Sequence, residues 1–199
     1  PVMAHGAASN PAGKHYAERA DPKWWGQVLE DHRFRELRLN LAHFGGFDKA
    51  FSQRADTAGQ VEDTWEWTIG RLIRDGGYPH LYVDLSYFSE WLGDNASPEK
   101  RTALRKFLGL FVETFDPHVE RLMYGSDWIM LGREPKHDQM IPVMEHLVRE
   151  IGFDDAKVAR FFGGNALRFL GLTERGSSWR RIMDYYTRHG LDTTYLEVR

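Results

Sequence analysis

Four short apolar segments of the chain have the length and composition of buried β-strands, and each ends in a polar residue followed by a loop signal. Between them, apolar residues recur every three or four positions, which is the spacing of an amphipathic helix. The predicted strands are Pro1–His5, Leu37–His43, Leu81–Ser86 and Arg121–Asp127, and the helical stretches lie within Trp24–Leu29, Val61–Ile73, Leu104–Phe115 and Ile141–Ile151. Strand and helix alternate four times with about 40 residues per unit, which is typical of a parallel α/β sheet.

Several helix boundaries can be predicted from capping residues. Ser97 followed by Pro98 is expected to start the third helix, and Asp154 is expected to cap a short helix after the fourth unit. Gly163-Gly164-Asn165 is predicted to be a turn with the asparagine as a hydrogen-bond anchor, followed by a second short helix. From Ser177 onward, four apolar residues with helical spacing predict a last amphipathic helix.

The size and composition are those of one globular domain. The 199 residues are 42% hydrophobic and 14% aromatic, enough for a single sizeable core. The 29 acidic and 26 basic residues are spread along the chain, so no basic stripe indicates nucleic acid or an anionic membrane as a partner. A small-molecule substrate is therefore expected. With no apolar run long enough to cross a bilayer and no signal-peptide pattern, we expect a cytoplasmic protein.

Candidate chemistry lies at the ends of the predicted strands, because parallel α/β barrels assemble their active sites there. The residues at these ends are His5, His43, Asp84 or Ser86, and Asp127. The chain has no cysteine, so any metal must be held by His, Asp or Glu, and two imidazoles with a carboxylate suit a divalent metal. The alternative is structural. A strand-end histidine is often a hydrogen-bonded structural residue, and Asp127 would be an N-cap or loop anchor. If Asp84 were one residue out of register, it would point to the helix side and be a structural partner for Arg or backbone.

Four segments carry motifs in a recognisable order: Pro1–Gly6, Leu39–Gly46, Met123–Trp128 and Gly164–Leu172. They resemble strands five, six and eight and the closing helix of the amidohydrolase-2 group of metal-dependent hydrolases. The resemblance covers residues 1–172 and leaves 173–199 as a C-terminal helical extension. It implies an α/β fold of the (β/α)8 TIM-barrel type, represented by about the last four βα units plus the C-terminal helices.

The resemblance also implies roles for individual residues. His5 corresponds to a metal ligand, His43 to a catalytic residue facing the reacting group, and Asp127 to a residue that binds metal and transfers protons. Tyr87 and Trp128 are candidate substrate-binding residues, with simple packing as the alternative. The implied reaction is hydrolysis of a small amide, lactone or related carboxylate-bearing substrate by a metal-activated water, with zinc as the expected metal and iron or manganese as other options. Some relatives decarboxylate their substrates instead, so a non-oxidative decarboxylase is the alternative reaction.

One departure from the family pattern affects both the fold and the site. The family carries a His-x-His pair of metal ligands on its first strand, and no His-x-His occurs in this chain. Strands one to four are also missing. We expect a fragment of a longer protein, or else a half barrel that closes as a homo-oligomer, because a half barrel exposes two sheet edges. The chain by itself would then hold an incomplete metal site, and the competing hypothesis is a non-catalytic scaffold.

Overall fold

Within the described residues, four parallel strands form a sheet in the order of the sequence. The computed structural model describes residues 1–8, 16, 18–47, 61–87, 91–92, 97–173 and 175–194. The strands are β1 (Val2–Ala7), β2 (Leu39–Gly45), β3 (Leu81–Leu85) and β4 (Leu122–Tyr124), with β1 paired to β2, β2 to β3 and β3 to β4. The four predicted strands and their parallel arrangement are confirmed.

Helices follow the strands as the apolar spacing predicts. They are α1 (Pro22–Glu30), α2 (Trp65–Arg74), α3 (Pro98–Phe115), α4 (Trp128–Leu131), α5 (Met140–Glu150), α6 (Asp155–Ala159), α7 (Asn165–Leu170) and α8 (Ser177–Arg188). A π-helical turn, Arg160–Gly164, joins α6 to α7, and short 3₁₀ turns occupy Glu18–Ala20, His32–Phe34 and His137–Gln139. Helix α8 confirms the predicted tail helix, while residues 195–199 of the predicted extension lie outside the described residues.

Side-chain caps explain where the main helices begin. The Ser97 hydroxyl accepts a hydrogen bond from the Lys100 amide at 3.3 Å, and Pro98 fills the first helical position, so the predicted start of α3 is confirmed. The Asp154 carboxylate caps α6 in the same way, accepting from the Lys157 amide at 2.8 Å. These caps satisfy backbone N–H groups that have no partner within the helix.

The core lies between the helices and one face of the sheet. Alternation along β2 and β3 directs Leu39, Leu41, Val83 and Leu85 to this face, where each is at most 1% exposed. The helices α2, α3 and α5 cover them with apolar side chains, including Trp67, Ile69, Phe107, Phe111, Phe115, Met144 and Leu147. The opposite face of the same strands therefore carries the remaining side chains of β2 and β3, which include polar ones.

The turn that leads into β4 is held by two buried polar side chains. The Asp116 carboxylate accepts hydrogen bonds from the amides of Glu120, Arg121 and Leu122 at 2.8, 2.9 and 3.1 Å. The Asn165 side-chain amide donates to the carbonyls of Val119 and Leu122 at 2.9 and 2.7 Å. Val119 has a φ of 52°, which is unfavourable for a β-branched residue. The two side chains thus fix a strained turn at the entrance of the strand that precedes Asp127.

The sequence-based prediction is wrong at several strand ends and at one turn. The strands β1 and β2 continue past His5 and His43 to Ala7 and Gly45, because the backbone ladder does not stop at a polar side chain. Gly163-Gly164-Asn165 is not a turn: the π-helical segment runs directly into α7, although Asn165 is the hydrogen-bond anchor that was predicted. No helix in the described part of the chain is long and apolar enough to cross a membrane.

Candidate active site

The two strand-end histidines lie against each other. The register of β1 and β2 pairs His5 with Ala42, which places His43 beside His5 on the neighbouring strand. Their ring centroids are 4.8 Å apart, with the ring planes tilted by 55°. His5 is exposed and His43 is half-buried. The structure therefore brings together two of the three side chains that the sequence singled out as metal ligands or catalytic groups.

The Asp127 side chain is close enough to act on the charge of His5. Burial lowers the pKa of His5, and the neighbouring His43 lowers it further, whereas a backbone hydrogen bond at Ala7 and the negative charge of Asp127 raise it. The net shift of the His5 pKa is downward, which favours the neutral imidazole, the form that binds metals. Asp127 thus belongs to the same cluster of strand-end side chains.

Asp127 occupies the first position before α4, but it does not cap that helix through its side chain. Its backbone is in the left-handed region, with φ 44° and ψ 54°, and the carboxylate accepts no capping hydrogen bond. A conventional N-cap residue has an extended backbone and a side-chain bond to the helix. Asp127 therefore stands at the N-cap position without capping the helix through its half-buried carboxylate.

The donor chemistry of this cluster fits a divalent metal, but the number of ligands falls short. Imidazole and carboxylate groups are ligands of zinc, iron and manganese, and a catalytic zinc normally has about three protein ligands. Among the residues that the structure describes, no group of three or more His, Asp or Glu side chains is arranged to hold a metal ion. This agrees with the absence of a His-x-His pair from the sequence.

A buried polar network of Asn40 and Asp84 contacts the backbone of His43. Asp84 is 5% exposed and shares the face of β3 that carries Tyr82, opposite to Val83 and Leu85. It accepts a hydrogen bond from the Asn40 side chain at 2.5 Å and from the His43 amide at 3.2 Å. Asp84 is therefore a structural partner of backbone, as one alternative expected. That alternative also placed its side chain on the helix side of the sheet, which is wrong, because Asp84 lies on the opposite face.

Ser86 is bonded to the imidazole of His43. The Ser86 hydroxyl lies 2.9 Å from His43 Nδ1, and the Ser86 carbonyl oxygen lies 3.5 Å from the same atom. Ser86 is 7% exposed and directly follows β3. The sequence offered Asp84 or Ser86 as the strand-end residue, and the structure gives them separate contacts, one to the backbone of His43 and one to its ring.

Gly125, the residue directly after β4, leaves space for the side chains of this network. A Cβ atom added at Gly125 would lie 2.7 Å from Asp84 Oδ1 and 2.9 Å from Ser86 Cβ. Real Cβ atoms do not approach other heavy atoms so closely, and neither contact is with the end of a long flexible side chain. Gly125 is therefore required by the packing of Asp84 and Ser86.

The two predicted substrate-binding aromatics differ in their surroundings. The Tyr87 hydroxyl donates to Glu134 Oε1 at 2.6 Å, so it already has a partner on the loop after α4. Trp128, immediately after Asp127, is 74% exposed. The structure thus leaves the Trp128 ring available at the strand ends, whereas the Tyr87 hydroxyl links two loops.

Left-handed backbone conformations cluster at these strand ends. His43, Tyr87 and Asp127 have φ values of 66°, 57° and 44°. Such conformations are uncommon for residues other than glycine and are concentrated at functional sites, where the surrounding structure must hold them. In this chain the hydrogen bonds to the His43 amide and the Tyr87 hydroxyl supply part of that support.

Two residues around the site were not anticipated from the sequence. Asn40 is fully buried and holds Asp84, and Glu134 holds Tyr87. A signal for Asn40 was present, since it is a polar residue between the buried Leu39 and Leu41 and must therefore face the other side of the sheet. No pattern in the sequence pointed to Glu134, because its contact spans 47 residues.

A family model described as amidohydrolase matches residues 2–172. The chain belongs to the amidohydrolase family. Two crystal structures of an amidohydrolase from Burkholderia multivorans are similar in fold, one with bound zinc and one with bound HEPES. Both are 21% identical to this chain, with TM-scores of 0.53 and 0.51, and the matches cover 76% and 72% of this chain. No curated protein matches it.

The chain spans about half the length of these solved structures, 48% and 49%. The predicted fold class is confirmed: an α/β fold of the TIM-barrel type, represented by four parallel βα units and C-terminal helices. In such barrels the active site lies at the carboxyl ends of the strands, which is where His5, His43 and Asp127 are found in this chain.

Proposed function

We propose that this chain carries part of the active site of a metal-dependent hydrolase that acts on a small amide, lactone or related carboxylate-bearing substrate through a metal-activated water. The proposal is supported by the contact between the His5 and His43 rings on neighbouring strands and by the electrostatic effect on His5 of Asp127, which follows β4. The family supports it, because the chain belongs to the amidohydrolases. We assign residues 1–172 to the barrel and 173–199 to a helical extension.

The metal ligands in this proposal are His5 and Asp127. Zinc is the metal we expect, since it accepts imidazole and carboxylate ligands, and iron or manganese would also be accepted. Zinc is present in one of the two related crystal structures. The remaining ligands would come from outside the described residues, either from another segment of a longer polypeptide or from a second copy in a homo-oligomer.

The side chains of this site divide the chemistry between them. A bound metal of this kind acidifies water and polarises a carbonyl group. The Asp127 carboxylate accepts the proton of the attacking water and returns it to the leaving group. His43, through the ring nitrogen that Ser86 does not contact, donates a hydrogen bond to the oxyanion that develops on the substrate. The exposed ring of Trp128 and the ring of Tyr87 supply apolar surface for the substrate.

The ligand assignment is tested by titrating the purified chain with zinc in a calorimeter. We expect weak binding by the chain itself, and a further loss on the order of 10-fold or more for His5→Ala and for Asp127→Ala. The exposed residues His118 and Asp138 provide matched controls, and His118→Ala and Asp138→Ala should bind zinc like the parent chain. Equal binding by all five proteins would overturn the assignment of His5 and Asp127.

The reaction is tested with a panel of lactones, amides and carboxylates, with carbon dioxide release measured in parallel. The chain alone should show little or no turnover, because a catalytic zinc normally has about three protein ligands and the proposal assigns two, His5 and Asp127, with His43 as the candidate third. Robust turnover that is lost in both His5→Ala and Asp127→Ala would show that the site is complete in this chain. Release of carbon dioxide without hydrolysis would replace the hydrolase by a decarboxylase.

A further inference from the structure

Ser86 contacts the ring of His43 through both its hydroxyl and its carbonyl oxygen. The Ser86 hydroxyl contacts Nδ1 at 2.9 Å, while the backbone amide of His43 is fixed by Asp84 at 3.2 Å. Asp84 is itself held by Asn40 at 2.5 Å. Both the backbone and the ring of His43 are thus anchored to the strands β2 and β3.

The hydrogen-bond needs of the Ser86 hydroxyl favour one location of the ring proton. With Nδ1 protonated, the hydroxyl would accept from the ring and its own proton would be left without an acceptor in the described part of the chain, since the Ser86 carbonyl contact with Nδ1, at 3.5 Å, is long for a hydrogen bond. The hydroxyl at 2.9 Å has a normal length for a donor to an imidazole nitrogen, and within the described part of the chain the ring is its only partner. Since Ser86 is 7% exposed, water has little access to this hydroxyl.

We propose that Ser86 is a positioning residue that donates its hydroxyl proton to His43 Nδ1 in a hydrogen bond, and thereby places the ring proton on Nε2. In a neutral histidine, the hydrogen bond made by one ring nitrogen determines whether the other ring nitrogen is protonated. With Nε2 protonated, His43 presents a hydrogen-bond donor on the side of the ring away from β3. This inference rests on the proposed function, in which His43 donates to a developing oxyanion.

The tautomer can be observed directly in the 199-residue chain by long-range ¹⁵N–¹H NMR of the imidazole side chains. The spectrum of His43→Asn identifies the signals of His43 among the nine histidines. We expect a single Nε2-protonated form in the parent chain. In Ser86→Ala this preference should be lost and an Nδ1-protonated ring should appear, because among the described residues the carbonyl of residue 86 is then the remaining partner of Nδ1.

Two further variants separate positioning from general disturbance of the fold. Ser86→Thr retains a hydroxyl and should keep the Nε2-protonated form, whereas Ser177→Ala removes an exposed hydroxyl from α8 and should leave His43 unchanged. An Nδ1-protonated ring in the parent chain, or an unchanged tautomer in Ser86→Ala, would overturn the proposal. The measurement on the parent chain decides the question even if Ser86→Ala does not fold.

An activity measurement in a catalytically competent assembly distinguishes this inference from the proposed function. There, Ser86→Ala should lower kcat on the order of 10 to 100-fold with little change in KM, because a supporting residue acts through the group it orients. A changed tautomer with unchanged kcat would overturn the role of His43 as a donor and leave the positioning by Ser86 intact. An unchanged tautomer with a lowered kcat would overturn the positioning itself.

Discussion

Replacing Asp116 with asparagine should destabilise the fold, and the penalty should be larger at acid pH than near neutrality. Asp116 is 5% exposed and accepts three amide hydrogen bonds in the turn before β4. Oδ1 receives the Glu120 amide, and Oδ2 receives those of Arg121 and Leu122. An asparagine has one side-chain oxygen, so in its better orientation it retains two bonds and turns its own NH2 group toward the Glu120 amide.

The expected loss in the free energy of unfolding follows from the backbone amide that loses its acceptor. A buried donor without an acceptor costs about 1 to 3 kcal/mol, so Asp116→Asn should lower the free energy of unfolding by that amount. Asp116→Ala removes the acceptor of all three amides and should cost about 3 kcal/mol or more. The strained φ of 52° at Val119 should add to the penalty, because the carboxylate is one of the two side chains that hold this turn.

The pH dependence follows from the direction of the pKa shift. Burial raises the pKa of Asp116 above its ordinary value of 3.8, although the three backbone N–H groups oppose this. The folded state therefore binds the proton more tightly than the unfolded state. The resulting stabilisation is fully present below the unfolded pKa and is lost as the pH rises through the folded pKa. Asparagine does not titrate, so the difference between the two proteins shrinks toward neutral pH.

Urea unfolding monitored by tryptophan fluorescence, at steps between about pH 4 and pH 7, measures this difference. The exposed Asp138 gives the matched control, and Asp138→Asn should change the unfolding free energy by less than about 0.5 kcal/mol. A penalty that grows from acid to neutral pH would refute the reasoning, because the buried carboxylate would then be more stabilising ionised than protonated. The reasoning would also be refuted if Asp116→Ala lowered the free energy of unfolding no more than the control Asp138→Asn does.

Three further outcomes can be measured on the same chain. Gly125→Ala should lower the free energy of unfolding in the same urea titration by about 1 to 3 kcal/mol, since the added Cβ would press on Asp84 and Ser86. The control Gly163→Ala should not be destabilising, because a Cβ at Gly163 meets open space. Asn165→Asp should cost about 2 kcal/mol or more in thermal unfolding, because its two amide hydrogen bonds to backbone carbonyls are lost. Light scattering should show that the 23.1 kDa chain self-associates, and a stable monomer would contradict the exposed half-barrel edges.

The order of the elements was predictable because it depends on local pattern. Apolar runs gave the four strands, and residues such as Ser97 and Asp154 gave the helix starts. Strand ends were predicted less well, since β1 and β2 extend past their histidines and β4 stops at Tyr124. Pairing between neighbouring backbones sets these ends, and no single segment contains that information.

The cluster of strand-end side chains could be anticipated, but its supports could not. The positions of His5, His43 and Asp127 follow from parallel strands sharing one end of a sheet. The bonds that support His43, such as Asn40 to Asp84 and Ser86 to His43, join residues more than 40 positions apart. Left-handed backbone at His43 is likewise invisible in the sequence, because this conformation is the result of tertiary hydrogen bonds and not of residue type.

The left-handed backbone at His43, Tyr87 and Asp127 determines which replacements a mutagenesis library will tolerate there. Valine, isoleucine and threonine should destabilise the fold at these positions, since branching at Cβ is poorly compatible with positive φ. Asparagine and glycine adopt this conformation readily. Variants such as His43→Asn and Asp127→Asn therefore remove a chemical group while keeping the native backbone, so a loss of activity in them reports on chemistry and not on folding.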